Sequence, residues 1–175
     1  MTIVAATKYV SLADMQVLAE AGVDVVGENR AQDLESKHAE YGDVFRWHFI
    51  GHLQSNKAKV VNRICELVHS LDSESAARRL EVPALLQVNL AGEASKAGVS
   101  PLEIETYLQY DIRGLATMPP AAATPDDSRR WFAELRELAA AHRLALLSMG
   151  TTQDYAVAAA EGATHIRVGS VLFED

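Results

Sequence analysis

The sequence predicts a compact α/β protein, a (β/α)8 TIM barrel, on three observations. Apolar runs of five to seven residues recur eight times and alternate with seven helical patterns, which is how parallel α/β structure is written in sequence. Eight is the strand number at which such a sheet closes on itself, whereas an open doubly wound sheet more often has five or six. The residues that end these runs are mostly polar, as expected where a parallel barrel gathers its strand ends on one rim. With 175 residues each βα unit has about 22, against roughly 30 in a typical barrel. The barrel is therefore expected to be unusually compact, to lack the usual extra terminal helices, and to form one domain over residues 1–175.

Each element has its own signal. Thr2-Ile-Val-Ala-Ala-Thr-Lys8 is an apolar run ending in a basic residue; alternation puts Val4, Ala6 and Lys8 on one face and Ile3, Ala5 and Thr7 on the other. Ser11 is placed to cap a helix over residues 12–19, which stops at Gly22. Residues 23–27 form the second strand, ending in Glu28-Asn29, and a polar helix over 31–41 ends at Gly42. The third strand, 47–51, leads through a loop to Lys57 and a helix carrying Val60, Val61 and Ile64. Strand four is 67–71, with Asp72 or Ser73 capping a short helix to Leu80, and strand five is 84–90. After the loop 91–98, Ser100-Pro101 is an N-cap followed by proline at the first helical position. Strand six, 112–117, is closed by Met118-Pro-Pro120. Thr124-Pro125-Asp126-Asp127 then opens a long helix with Trp131, Phe132, Leu135 and Leu138 at helical spacing. Residues 144–148 form strand seven, an alanine-rich helix over 155–161 stops at Gly162, and 165–169 form strand eight.

Composition narrows the partners. The net charge of -8 argues against nucleic acid, because neutralising phosphates needs clustered Lys and Arg. No apolar run reaches the length of a membrane span, and the first residues show no signal-peptide pattern. A single cysteine, Cys65, precludes an internal disulfide framework and fits a reducing compartment, so the expected location is the cytoplasm. Cys65 falls in an apolar helical stripe and reads as a core residue. His48 and His52 are four apart but lie on a strand and its loop, so no metal site is expected. Lys57 and Lys96 occupy loops and read as solvated charges, and no Ser-His-Asp order or Walker loop is present.

The strand ends make a more specific set. Ser148-Met-Gly-Thr-Thr152 lies between strand seven and its helix, and Gly169-Ser170 ends strand eight. Barrels often hold phosphate with the loops after these two strands. Lys8 ends strand one, and Arg167, two residues before Gly169, faces the interior by alternation. A lysine opposite a phosphate site points to a Schiff base with pyridoxal phosphate, provided burial frees the amine from its usual charge. An arginine beside the pyridine nitrogen would keep that nitrogen unprotonated and weaken the ring as an electron sink.

These residues carry a family resemblance. Ala-Ala-Thr-Lys8, Gly27-Glu-Asn29, Trp47-His-Phe-Ile-Gly-His-Leu-Gln-Ser-Asn-Lys57, Leu86-Gln-Val-Asn89, Gly92 to Gly98, Gly114-Leu-Ala-Thr-Met-Pro-Pro120, Ser148-Met-Gly150 and Ile166-Arg-Val-Gly169 occur in that order. The chain resembles the pyridoxal phosphate homeostasis proteins over nearly its whole length, and the third stretch is the most specific. The resemblance implies the barrel of the alanine racemase N-terminal domain, with Lys8 as the Schiff-base lysine. It also implies Ser148, Gly150 and Thr152 near the phosphate, Gly169 and Ser170 opposite, Arg167 near the pyridine nitrogen, and Asn29 and His52 close to the cofactor. The chain departs from the family pattern in starting at the lysine strand, in ending Glu174-Asp175 after Phe173, and in reading Met-Gly-Thr-Thr in the phosphate loop.

The function so implied is pyridoxal 5'-phosphate homeostasis. A monomeric cytoplasmic protein would hold the cofactor on Lys8, pass it to pyridoxal phosphate-dependent apoenzymes, and influence amino-acid and keto-acid balance without turnover of its own. The alternative is a racemase-like enzyme acting on amino acids, and outside this chemistry a phosphosugar isomerase barrel.

Overall fold

The computed structural model describes residues 1–93, 96–121 and 124–172. Ala94 and Ser95 of the Gly92 to Gly98 stretch, and the end of the chain from Phe173, lie outside the described residues. Eight parallel strands close into a barrel in sequence order: β1 (Thr2–Ala6), β2 (Val25–Glu28), β3 (Arg46–Phe49), β4 (Leu67–Leu71), β5 (Ala84–Gln87), β6 (Ile112–Ala116), β7 (Leu146–Ser148) and β8 (His165–Val168). Closure is made by β1 against β8, with Val4 opposite Arg167.

The helices wrap the outside. α1 (Leu12–Glu20) begins at Ser11, whose hydroxyl accepts the Asp14 amide at 3.2 Å, and ends before Gly22 at φ +79°. α2 (Ala31–Tyr41) buries Ala31, Leu34 and Lys37, and α3 (Ala58–Ile64) buries Ala58, Val61 and Ile64. α4 (Glu74–Ala77) and α5 (Ile104–Tyr107) are single turns. α6 (Arg129–Ala141) buries Phe132, Leu135 and Ala139, and α7 (Tyr155–Ala160) buries Ala158. Shrinking α4 and α5 to one turn is how eight βα units fit into a chain this short. Among the described residues no α-helix precedes β1 or follows β8.

Several strands stop short of the apolar runs that predict them. β5 ends at Gln87; beyond it the Val88 amide still donates to the Ala116 carbonyl, and Val88 forms an isolated parallel bridge with Val99. β7 begins at Leu146, not Leu144. β1 ends at Ala6, and residues 8 and 9 form a turn.

Alternation divides the core in two. A large apolar cluster, including Ala5, Val26, Phe49, Leu86, Leu115 and Ile166, lies between sheet and helices. A small one inside the barrel joins Leu67, Leu85 and Ala116, with Leu146 packed against it. Above it the interior is polar. His69 Nδ1 lies 2.7 Å from the Ser148 hydroxyl, and its Nε2 lies 2.9 Å from His48 Nδ1. The His165 ring stacks edge-on to His69 at 5.3 Å between centroids. Burial pushes these histidines below their ordinary range: His48 to about 3 and His69 well down, each also opposed by its charged neighbours, and His165 in the same direction.

Candidate functional site

At the carboxyl rim a cavity of about 550 Å³ opens between the ends of β1, β3 and β8, in the size range of small-ligand sites. Of the residues expected there, Lys8, Asn29, His52, Thr152, Arg167, Gly169 and Ser170 line it, together with Ala6, Tyr9, Ile50, Gln87 and Met118. Ser148 and Gly150 do not. Ser148 is fully buried, bonded to His69 in the barrel interior. Alternation assigns it to the inside correctly, but parity carries no information about height along the barrel axis. Gly150 sits beneath α7 and contributes its carbonyl, which accepts the Arg167 amide at 3.0 Å.

Gly150 requires the backbone freedom of glycine. Its φ is +91°, and a Cβ there would lie 2.5 Å from the Ala158 methyl. Gly150→Ala is expected to cost about 2–4 kcal/mol, combining left-handed strain with overpacking against α7. A thermal melt within about a degree of the unaltered protein would contradict this.

Lys8 is exposed, not buried as its strand-end position suggests, because the strand stops two residues earlier and the turn lifts it to the rim. Its Nζ lies 4.8 Å from the centroid of the Tyr9 ring, within cation–π range. The turn itself is clamped from behind. Lys37 of α2 donates to the Thr7 carbonyl at 2.6 Å and to Glu28 Oε1 at 2.5 Å, and the Thr7 hydroxyl donates to the same oxygen at 2.6 Å. Glu28 is fully buried and Lys37 nearly so. This clamp was not expected from sequence, where Lys37 lies in a polar helix and looks like any surface lysine. The only hint is that it falls three residues after Leu34, on the buried stripe.

On the neighbouring strand β8, Arg167 is buried and donates to the Thr117 carbonyl at 2.8 Å. Its Nε is buried and, among the described residues, has no hydrogen-bond partner. Burial lowers its pKa to about 10, with the Asp154 carboxylate pulling the other way, so the guanidinium is charged at neutral pH. Thr152 ties the two phosphate-loop candidates together, its hydroxyl accepting the Gly169 amide at 3.2 Å. The Thr151 amide and hydroxyl both bond Asp154 Oδ1, at 2.7 and 3.1 Å. Part of the donor capacity expected of this loop is therefore already used within it.

The rim beside His52 is held equally firmly. The Ser70 hydroxyl donates to the Gly51 carbonyl. A Cβ on Gly51 would lie 2.2 Å from the Asn29 carbonyl oxygen, so glycine lets the Asn29 backbone come close. His52 Nδ1 lies 3.0 Å from Asp72 Oδ2. Elsewhere Cys65 is buried and its thiol is pushed up to about 12 by desolvation, which leaves it unreactive. Among the described residues no cluster of potential ligands is arranged to hold a metal ion, and no helix is long and apolar enough to cross a membrane.

The cavity therefore combines an amine, a buried guanidinium with a spare donor, and two linked loops, in a molecule whose overall charge is negative. It suits a small anionic ligand.

No protein-family model matches the chain. Among curated proteins, the pyridoxal phosphate homeostasis protein of Aquifex aeolicus is 38% identical over 175 residues, covering 87% of this chain and 77% of the relative. The protein of the same name from Synechocystis is 36% identical over 198 residues, covering 99% and 90%. Among solved structures, PipY of Synechococcus elongatus superposes with a TM-score of 0.89 both with pyridoxal phosphate bound and without it. The identities are 34% and 35%, and the match covers 99% of this chain and 92% or 93% of PipY. The lysine/ornithine decarboxylase of Vibrio vulnificus, at a TM-score of 0.73 and 14% identity over 97% of this chain and 56% of its own, shares the fold alone.

Proposed function

Since the chain belongs to the pyridoxal phosphate homeostasis proteins, we propose that it binds pyridoxal 5'-phosphate in the rim cavity, with Lys8 as the covalent anchor. The observation that carries this reading is the pairing of Lys8 with the unpartnered buried Nε of Arg167 in one concave site. An orphaned buried donor is costly, and a ring nitrogen acceptor would satisfy it. PipY, solved with this cofactor bound, supports the assignment. When bound, pyridoxal phosphate supplies an aldehyde that a lysine amine attacks with loss of water.

The protein's own residues then have distinct tasks. Lys8 presents its amine from a turn whose carbonyl is fixed by Lys37. Arg167 offers a fixed positive charge and a donor for the pyridine nitrogen, keeping a proton off that nitrogen. Thr152, Gly169 and Ser170 border the place for the phosphate, with Gly150 supporting Arg167 from below and Ser148 fixing the interior beneath. Asn29 and His52 close the opposite side.

We read the protein as a monomeric cytoplasmic carrier that hands the cofactor to dependent apoenzymes and so affects amino-acid and keto-acid balance. An arginine at the ring nitrogen favours holding over catalysis, because it lowers the ring's capacity as an electron sink. Mixing the protein with pyridoxal phosphate is expected to produce an imine absorbance band, and borohydride should fix the adduct on the peptide containing Lys8. Lys8→Ala should abolish both; retention of the same band would overturn the anchor assignment. The loaded protein is expected not to racemise alanine or serine. Turnover that disappears in Lys8→Ala would replace the carrier reading with a racemase-like enzyme.

A further inference from the structure

We propose that His52, oriented by Asp72, transfers the proton needed to load the cofactor onto Lys8 and to release it. The inference rests on Lys8 being the anchor. Condensation of a neutral amine with an aldehyde forms one C=N bond and expels the carbonyl oxygen as water, which carries away both amine protons. Release runs the same step backwards with one water consumed, and neither direction involves oxidation. At least one proton must reach the departing oxygen, so a group able to give and take a proton beside Lys8 accelerates both directions.

The dyad has the form such a group requires. His52 follows β3 and Asp72 follows β4, two paired strands, so the contact joins neighbouring points on the rim. The two side chains differ sharply in exposure, 60% for His52 against 7% for Asp72. Asp72 Oδ2 lies 3.0 Å from His52 Nδ1, while Oδ1 is buried with no hydrogen-bond partner among the described residues. A buried carboxylate committed to one ring nitrogen selects the tautomer with hydrogen on Nδ1. Nε2 then has an open lone pair and, among the described residues, no protein partner. His52 lines the same cavity as Lys8. A surface ion pair would not need one partner buried, and a structural histidine would not need its ring in the cavity. Asp72 is thus a positioning residue, and His52 has a kinetic task in place of a simple binding contact.

Rates separate these roles. Loading would be followed by the imine band after mixing with pyridoxal phosphate, release by a dilution jump of the loaded protein, and the equilibrium constant by dialysis. In His52→Gln and Asp72→Asn, loading and release are both expected to slow by about tenfold or more and by comparable factors, so that the equilibrium constant changes far less than either rate. Free imidazole should restore both rates in His52→Ala, an outcome that a misfolded or merely loosened rim would not give. Unchanged rates in His52→Gln, or a slower or faster release alone with a matching change in affinity, would overturn the proposal while leaving the Lys8 anchor intact. Absence of any band with the unaltered protein would overturn both.

Discussion

Lys37→Met is expected to lower folding stability by about 3–5 kcal/mol, which for a domain of this length corresponds to a melting temperature about 10 °C lower. The side chain is about the right size for the gap, so the loss is electrostatic. Glu28 Oε1 receives both Lys37 and the Thr7 hydroxyl, and Glu28 Oε2 is already buried with no partner among the described residues. Removing the ammonium leaves a fully buried carboxylate with one neutral donor, the arrangement in which a broken buried pair is most costly. Adding Glu28→Gln to Lys37→Met should recover part of the loss, because the uncompensated charge disappears. Differential scanning calorimetry of the two variants checks this; a single variant within about 1 kcal/mol of the unaltered protein would show the pair to be inert. The site should also feel the change, since Lys37 holds the Thr7 carbonyl immediately before Lys8.

Acid should unfold the barrel earlier than its carboxylates alone would predict. His48, His69 and His165 are held neutral inside the barrel, with pKa values lowered first by desolvation and then by neighbouring positive charge. A histidine depressed in the folded state takes up its proton on unfolding, so the unfolded chain binds more protons below its ordinary pKa of about 6.5. The stabilising contribution is complete above pH 6.5 and falls as the pH drops, by about 1.4 kcal/mol per unit for each histidine. For His48 the fall continues to about pH 3, where the folded state also protonates. His48 alone therefore removes roughly 2–3 kcal/mol between pH 6.5 and 4.5, and His69 and His165 act in the same direction. Urea midpoints measured across that range should decline steeply, and more gently in His48→Leu. A flat profile would mean that these rings are solvated in the folded protein.

How far the site was legible differs from residue to residue. Arg167 was readable, because alternation from Gly169 put it on the inner face, and the register opposite Val4 places it there. Thr152, Gly169 and Ser170 line the cavity, as their position after the last two strands led one to expect. Ser148 shares that inner parity, yet it is bonded to His69 below the cavity floor. Strand tilt and stagger set the level of each side chain in a barrel, and neither is written in the period of the sequence. Lys8 shows the same limit in another form. Its face was predictable, but its exposure depended on β1 ending at Ala6.

By itself the sequence determined eight parallel strands, their order, and which residues face inward, because buried runs and period-two alternation are local properties of the chain. The short units also announced a reduced barrel, and α4 and α5 are where the reduction falls. Only the tertiary structure decided which polar residues meet. The Glu28–Lys37–Thr7 clamp, the His48–His69–Ser148 chain and the His52–Asp72 dyad each join residues from different βα units. Closure of the sheet brings such residues within hydrogen-bonding distance, and burial there changes both their charge and their strength. Those two effects turn residues of ordinary sequence context into a clamp behind the Lys8 turn, a polar chain inside the barrel and a dyad on its rim.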